Sequence, residues 1–291
     1  MTEQEKPRSH GRLSVRLSAQ PRDLMAPPEV NGVWTAQIVT LFPEAFPGVL
    51  GLSLTGKALQ QGLWNLRMID LRPFGEGKHR NVDDTPAGGG AGMVIRADVM
   101  ARALDDAQAD RIGQSLPVVY LSPRGKPLTQ ARARELAQGP GVTLICGRFE
   151  GVDQRVLDAY DVEEISIGDY VLTGGELAAQ VLIDATVRLI PRVLGNQESL
   201  AEESFSDGLL EHPQYTKPAI WQDRAIPDVL LSGNHAAIAN WRNDMAERLT
   251  KERRPDLWRA YETRMDPAKD RQLSGASDQS RDYREHEREK R

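Results

Sequence analysis

Between Trp34 and Ile190, short apolar runs of strand length alternate with longer stretches of helical periodicity, and this alternation leaves few folds open. Residues 35–41, 66–71, 117–121, 142–146 and 162–167 read as strands, and residues 46–63, 98–109, 128–137 and 177–190 as helices. Strands that are apolar on both faces and separated by helices belong in a mainly parallel sheet covered on both sides, so the expected fold class is α/β. Such sheets bind ligands beyond the carboxyl ends of their strands. Three glycine-bearing turns fall there, at 122–125, 147–151 and 168–175.

The last turn is the richest: Ser166-Ile167-Gly168-Asp169-Tyr170-Val171-Leu172-Thr173-Gly174-Gly175-Glu176 leaves a strand and enters a helix. Its glycines let a ligand approach the main chain, while Ile167, Tyr170, Val171 and Leu172 could wall a mostly apolar slot. With no Lys or Arg in the stretch, a flat heteroaromatic ring suits it better than a phosphate. On spacing alone, a tight structural turn accounts for it about as well. No G-x-G-x-x-G follows any strand, so the ordinary dinucleotide site lacks support. Gly51-Leu52-Ser53-Leu54-Thr55-Gly56-Lys57-Ala58 stops one residue short of a phosphate-binding loop, because Ala58 replaces the hydroxyl that would hold Mg²⁺. An exposed helix-capping glycine and lysine is the expectation there.

The other segments bound the rest. Residues 72–93 form a long aperiodic stretch in which His79, Arg80, Asp83 and Asp84 accompany Gly88-Gly89-Gly90-Ala91-Gly92, either a mobile lid or a solvated loop. Cys146 is the one cysteine, which excludes an internal disulfide and makes a reducing cytoplasm the default; it reads as a buried small side chain. No run reaches the length of a membrane span. The expected organisation is a disordered extension (1–33), a main domain (34–193), a flexible linker (194–208), a small helical domain (209–265) with Ile238, Trp241, Met245 and Leu249 on one stripe, and a disordered charged tail (266–291). The net charge is −5, and residues 34–208 hold 16 basic against 23 acidic side chains, so any contact with nucleic acid must come from local cations.

The glycine-rich turn resembles that of the bacterial tRNA (guanine-37-N1)-methyltransferases of the SPOUT superfamily. So, in the family's order, do Leu41-Phe42-Pro43-Glu44, Val82-Asp83-Asp84, Gly88-Gly89-Gly90, Tyr120-Leu121-Ser122-Pro123-Arg124-Gly125, Gly147-Arg148-Phe149-Glu150-Gly151-Val152-Asp153, Pro213-Gln214-Tyr215-Thr216-Lys217-Pro218 and Val229-Leu230-Leu231-Ser232-Gly233. The resemblance covers about residues 34–258. It implies a trefoil-knotted cofactor site on the parallel sheet, S-adenosylmethionine as methyl donor, the anticodon arm of tRNA as substrate, and a homodimer whose site is shared between chains. Cofactor contacts are implied at Tyr120, Leu121, Ser122, Pro123, Gly147, Glu150, Ile167, Gly168, Asp169, Tyr170, Val171, Leu172, Gly174 and Gly175. Substrate contacts are implied at His79, Asp83, Gly92, Arg188 and Ser204. The family shows an aromatic where Ala87 stands and a proline where Ala91 stands.

Methylating ring N1 of guanine requires loss of its proton, which a carboxylate can accept, while negative charge spreads to O6, where a guanidinium stabilises the transition state. The resemblance assigns the second role to Arg188 and the first to Glu203, which stands where the family has an aspartate; Glu202 is the fallback. Glutamate keeps the acid–base chemistry, with an ordinary pKa only about 0.4 units higher. A base on the linker would tie proton removal to RNA binding. Two other classes stay open: a phosphate-loop nucleotidase using Lys57, and a non-catalytic RNA-binding relative. The residues do not show whether Mg²⁺ assists, and no metal ligand set is expected.

Overall fold

The computed structural model describes residues 32–109, 115–195 and 203–265. The expectations for residues 1–31, for the linker over 196–202 with Glu202, and for the tail 266–291 lie outside the described residues.

Five strands form one parallel sheet: β1 (Trp34–Thr40), β2 (Trp64–Asp70), β5 (Val118–Pro127), β6 (Gly141–Ile145) and β7 (Glu163–Ser166), in the order β2-β1-β6-β5-β7. All seven residues of β1 are buried, as a strand covered on both faces requires. Parallel pairing is continuous from Trp34↔Trp64 through Thr40↔Asp70 on one side of β1, and from Thr35↔Gly141 to Val39↔Ile145 on the other. At Gly141, with φ +146°, a Cβ would strike the Thr35 main chain, so only glycine starts β6 this close to β1. Buried Gln37 between the strands is satisfied by Thr143 Oγ1, which donates to its Oε1 (2.8 Å), and by its own donation to Ala107 O (2.9 Å).

One face of the sheet is covered by α1 (Ser53–Gln60), α3 (Gln130–Gln138) and α5 (Glu176–Val187), packing Leu136, Leu182, Ile183 and Val187 onto Ile38 and Leu144. The other is covered by α2 (Ala97–Ala109) and α4 (Gln154–Ala159), with Val99, Met100, Leu104, Val156 and Leu157 against Val39, Ile69 and Ile145. Side chains alternate across the sheet, so each strand feeds both cores.

The helix expected over 46–63 is shorter. Pro47 and Gly48 (φ +54°) interrupt it, and α1 follows two 3₁₀ turns at Pro43–Ala45 and Gly48–Gly51. Gly56 is buried with its Cα against the Gly51 carbonyl, so the near phosphate-loop motif is spent on helix packing and its glycine is not an exposed cap. Lys57 is exposed within α1, away from any strand end, which removes the nucleotidase reading. Residues 72–93 contain β3 (Asp83–Asp84), which pairs antiparallel with β4 (Val94–Ile95), and Ile95 N–H donates to Gly151 O at 2.9 Å. In α5, Ala178, Ala179, Leu182, Ile183, Thr186 and Val187 point inward, while Leu177 and Val181 are exposed.

Beyond residue 203 the chain forms a small hairpin, β8 (Ile220–Trp221) with β9 (Arg224–Ala225), then α6 (Asp228–Leu231), α7 (His235–Arg253) and α8 (Pro255–Met265). The Ile238, Trp241, Met245 and Leu249 stripe is half-buried, with Trp241 edge-on to His212 and Tyr215. Fully buried Thr250 accepts from Leu210 N–H (2.8 Å) and donates to Ala246 O (2.7 Å), fastening the start of this segment to α7. Among the described residues no helix is long and apolar enough to cross a membrane.

Candidate active site

The three glycine-bearing turns converge on one cavity of about 350 Å³. Because β5, β6 and β7 run parallel, their carboxyl ends open on the same side, and the turns that leave them share a crevice. Tyr120, Leu121, Ser122 and Pro123 line it from β5, where the chain leaves the β7 ladder after Leu121 and rejoins it at Lys126. Gly147 and Glu150 line it from the turn after β6, and Ile167, Gly168, Tyr170, Val171, Leu172, Gly174 and Gly175 from the turn after β7. Asp169 is exposed and outside the lining: Tyr170 N–H bonds back to Gly168 O at 2.9 Å, which leaves Asp169 at the tip of a tight turn.

Two glycines here are dictated by close approach. A Cβ on Gly175 would fall against the main chain of Cys146 and Gly147, and Gly175 N–H donates to Gly147 O at 2.9 Å. A Cβ on Gly147 would meet the Tyr120 ring. Tyr120 is buried, and that burial raises its phenol pKa. Cys146 lies directly behind, 1% exposed, its thiol pushed well up by burial and then by the nearby Glu176 carboxylate, so it is no nucleophile.

Arg188 and Glu203 do not line this cavity. Arg188 caps the far end of α5, thirteen residues from Gly175, a span of roughly 20 Å along a helix. It grips Glu203 in a two-point ion pair, Nη1 to Oε2 at 2.6 Å and Nη2 to Oε1 at 2.5 Å. That pairing holds the Glu203 carboxyl below its ordinary pKa and raises that of Arg188. Ser204 Oγ accepts from Glu211 N–H at 2.9 Å. His79 is exposed, and neither it nor Asp83 reaches the cavity lining; Gly92, with φ +87°, lies directly against the Glu150 side chain. Among the described residues no group of three or more His, Cys, Asp or Glu is arranged to hold a metal ion.

A family model described as tRNA (Guanine-1)-methyltransferase TrmD matches residues 35–260. The chain belongs to the TrmD family. Proteins named tRNA (guanine-N(1)-)-methyltransferase are similar along nearly their whole length. That of Cereibacter sphaeroides (strain KD131 / KCTC 12085) is 72% identical over 248 residues, 84% of this chain and 100% of its own. That of Ruegeria sp. (strain TM1040) is 67% identical over 237 residues, 81% of this chain and 97% of its own. That of Brucella ovis is 60% identical over 235 residues, 81% of this chain and 95% of its own.

The TrmD-family chain carries residues around the crevice that motif reading left without a role. Arg124, Arg148, Phe149 and Thr173 line it, and Glu176 stands behind Arg148 at 2.8 Å with 4% of its side chain exposed. Arg148 and Glu176 both lie within the motifs given above, but spacing could not pair them, and the contact of Glu176 with Thr40 Oγ1 (2.8 Å) spans 136 positions of sequence.

Proposed function

We propose that this chain transfers a methyl group from S-adenosylmethionine to ring N1 of guanosine 37 of tRNA, beside the anticodon. The observation that carries the reading is the glycine-built crevice at the ends of β5, β6 and β7 in a chain matched to the TrmD family from residue 35 to 260. The residues present fit the donor: main chain at Gly147, Gly168 and Gly175 and the apolar Leu121, Ile167, Val171 and Leu172 suit an adenine ring, and Glu150 offers a carboxylate to a cationic group. When bound, S-adenosylmethionine supplies a methyl group activated by its positive sulfur. The knotted threading expected of the family belongs to this proposal, and the tight crossing of Gly175 on Cys146 supports it.

Glu203 accepts the N1 proton of guanine, and Arg188 donates to O6 as negative charge collects there. Their mutual pairing and their remove of roughly 20 Å along α5 from Gly175 favour a site in which one chain provides the crevice and a second chain provides Arg188, Glu203 and Ser204. Exposed Leu177 and Val181 on α5 and nearby Val49 and Leu52 offer that second chain an apolar face. Guanine O6 competes for Arg188, so RNA binding frees Glu203 and lets its pKa return upward, towards that of a better base. The basic residues of α7 and α8 face the anticodon arm in this arrangement, and the protein works in the cytoplasm.

Incubation with labelled donor and tRNA transcripts bearing guanosine or adenosine at position 37 tests the reading. N1-methylguanosine should form at position 37 of the first transcript alone, and absence of methyl transfer would overturn it. In Glu203→Gln, transfer should fall about a hundredfold or more with donor affinity kept. Full activity in that variant would remove Glu203 as base.

A further inference from the structure

Every cation that lines the crevice is backed by a carboxylate from outside it. Arg124 pairs with Glu164 at 3.0 Å, and Arg148 pairs with Glu176 at 2.8 Å. Glu150 is then the lining's remaining charge. Of these carboxylates Glu176 is the buried one, and the proton transfer described above makes no use of it.

Glu176 is the first residue of α5, where the helix dipole favours a negative charge, and its Oε1 accepts from Thr40 Oγ1 at 2.8 Å. Arg148 in turn depends on it. The guanidinium stacks 4.3 Å from the Phe42 ring centroid and reaches Thr173 O at 3.4 Å, while its Nε is buried with no acceptor. The Cα of Gly174 lies so close to Arg148 that a side chain there would collide with it. Arg148 thus joins the turn after β6 to the turn after β7 from behind, and Glu176 cancels its charge.

We propose that Glu176 is the counter-ion that lets this crevice accept a cationic methyl donor. The inference rests on the donor assigned above. S-adenosylmethionine carries a positive sulfur, and S-adenosylhomocysteine, left after transfer, does not. An uncancelled Arg148 in a low-dielectric pocket repels the first and is indifferent to the sulfur of the second. Glu176 is accordingly a positioning and specificity-determining residue acting through Arg148, and its signature is the ratio of the two affinities.

Calorimetric titration of S-adenosylmethionine and of S-adenosylhomocysteine into the full chain measures that ratio directly. Glu176→Gln should weaken the donor at least about fivefold more than the product, roughly 1 kcal/mol of discrimination. Arg148→Gln, which leaves Glu176 as an uncancelled anion, should move the ratio the opposite way. The double variant should return it to the wild-type value, because a neutral pair again stands behind the crevice. A merely structural pair would weaken both ligands together and leave the ratio unchanged, and that result in Glu176→Gln overturns the proposal. If Glu176→Gln does not fold, an unchanged ratio in Arg148→Gln overturns it equally. A wild-type chain that binds neither ligand would overturn the donor assignment itself, whereas wild-type binding of both with invariant ratios would overturn the counter-ion role alone.

Discussion

Glu203 is held by two hydrogen bonds to Arg188, with 28% of each side chain still exposed, so the pair is strong by geometry yet partly wetted. Its carboxyl sits below the ordinary value chiefly because Arg188 bonds to the charged form. A depressed carboxyl contributes stability that is present above its unfolded pKa and is lost as pH falls through the folded one. Glu203→Gln should therefore cost about 1 kcal/mol at neutral pH, and in denaturant unfolding curves the difference from wild type should shrink as pH falls past the ordinary carboxyl value and vanish only below the depressed folded one. A difference that persists into acid would mean that the pair does not hold the segment. Gly175→Val makes the complementary case. Its side chain would occupy the space of the Cys146 and Gly147 main chain, so S-adenosylmethionine binding should be lost by calorimetry, while Lys57→Ala should bind as wild type. Motif spacing made these glycines legible. It could not show that Arg188 and Glu203, fifteen positions apart, would seize each other.

Elements were readable to the degree that burial made them periodic. β1, β6 and the first half of β5 show as apolar runs because both of their faces are covered, and the edge strands β2 and β7 are less regular, whereas α4 was missed because six residues with only Val156 and Leu157 buried carry too short a pattern. The β8–β9 hairpin, two residues a side and exposed, offers no alternation to detect. α5 is apolar nearly all round, so its inward stripe could not be told from its outward one until the fold chose. Thr250 binds two elements together through one hydroxyl, and Thr250→Val would leave Leu210 N–H without a partner, at a cost of about 1–3 kcal/mol. Since Leu210 follows closely on Glu203 and Ser204, methyl transfer should decline with donor affinity unchanged. Unaltered kcat in a measurably destabilised Thr250→Val protein would separate the anchor from catalysis.

The whole chain bears a net charge of −5 yet is assigned a polyanionic substrate. Few cations can suffice when they position a strand and a base contact provides the selection, so tRNA affinity should be modest and should drop with added salt. Assembly is the stronger test. Leu177 is 61% and Val181 49% exposed on one stripe of α5, and charging both as Asp should yield monomers by light scattering, with donor binding retained and methyl transfer lost. Transfer by those monomers would return the whole site to one chain. Finally, the sole thiol of the sequence, Cys146, is sealed beneath the Gly175 main chain. Nature has thereby installed a chemical stopwatch at the back wall: the pace at which a maleimide reaches this sulfur records how often the wall parts. A ligand that clamps the wall should slow the reaction without any engineered label.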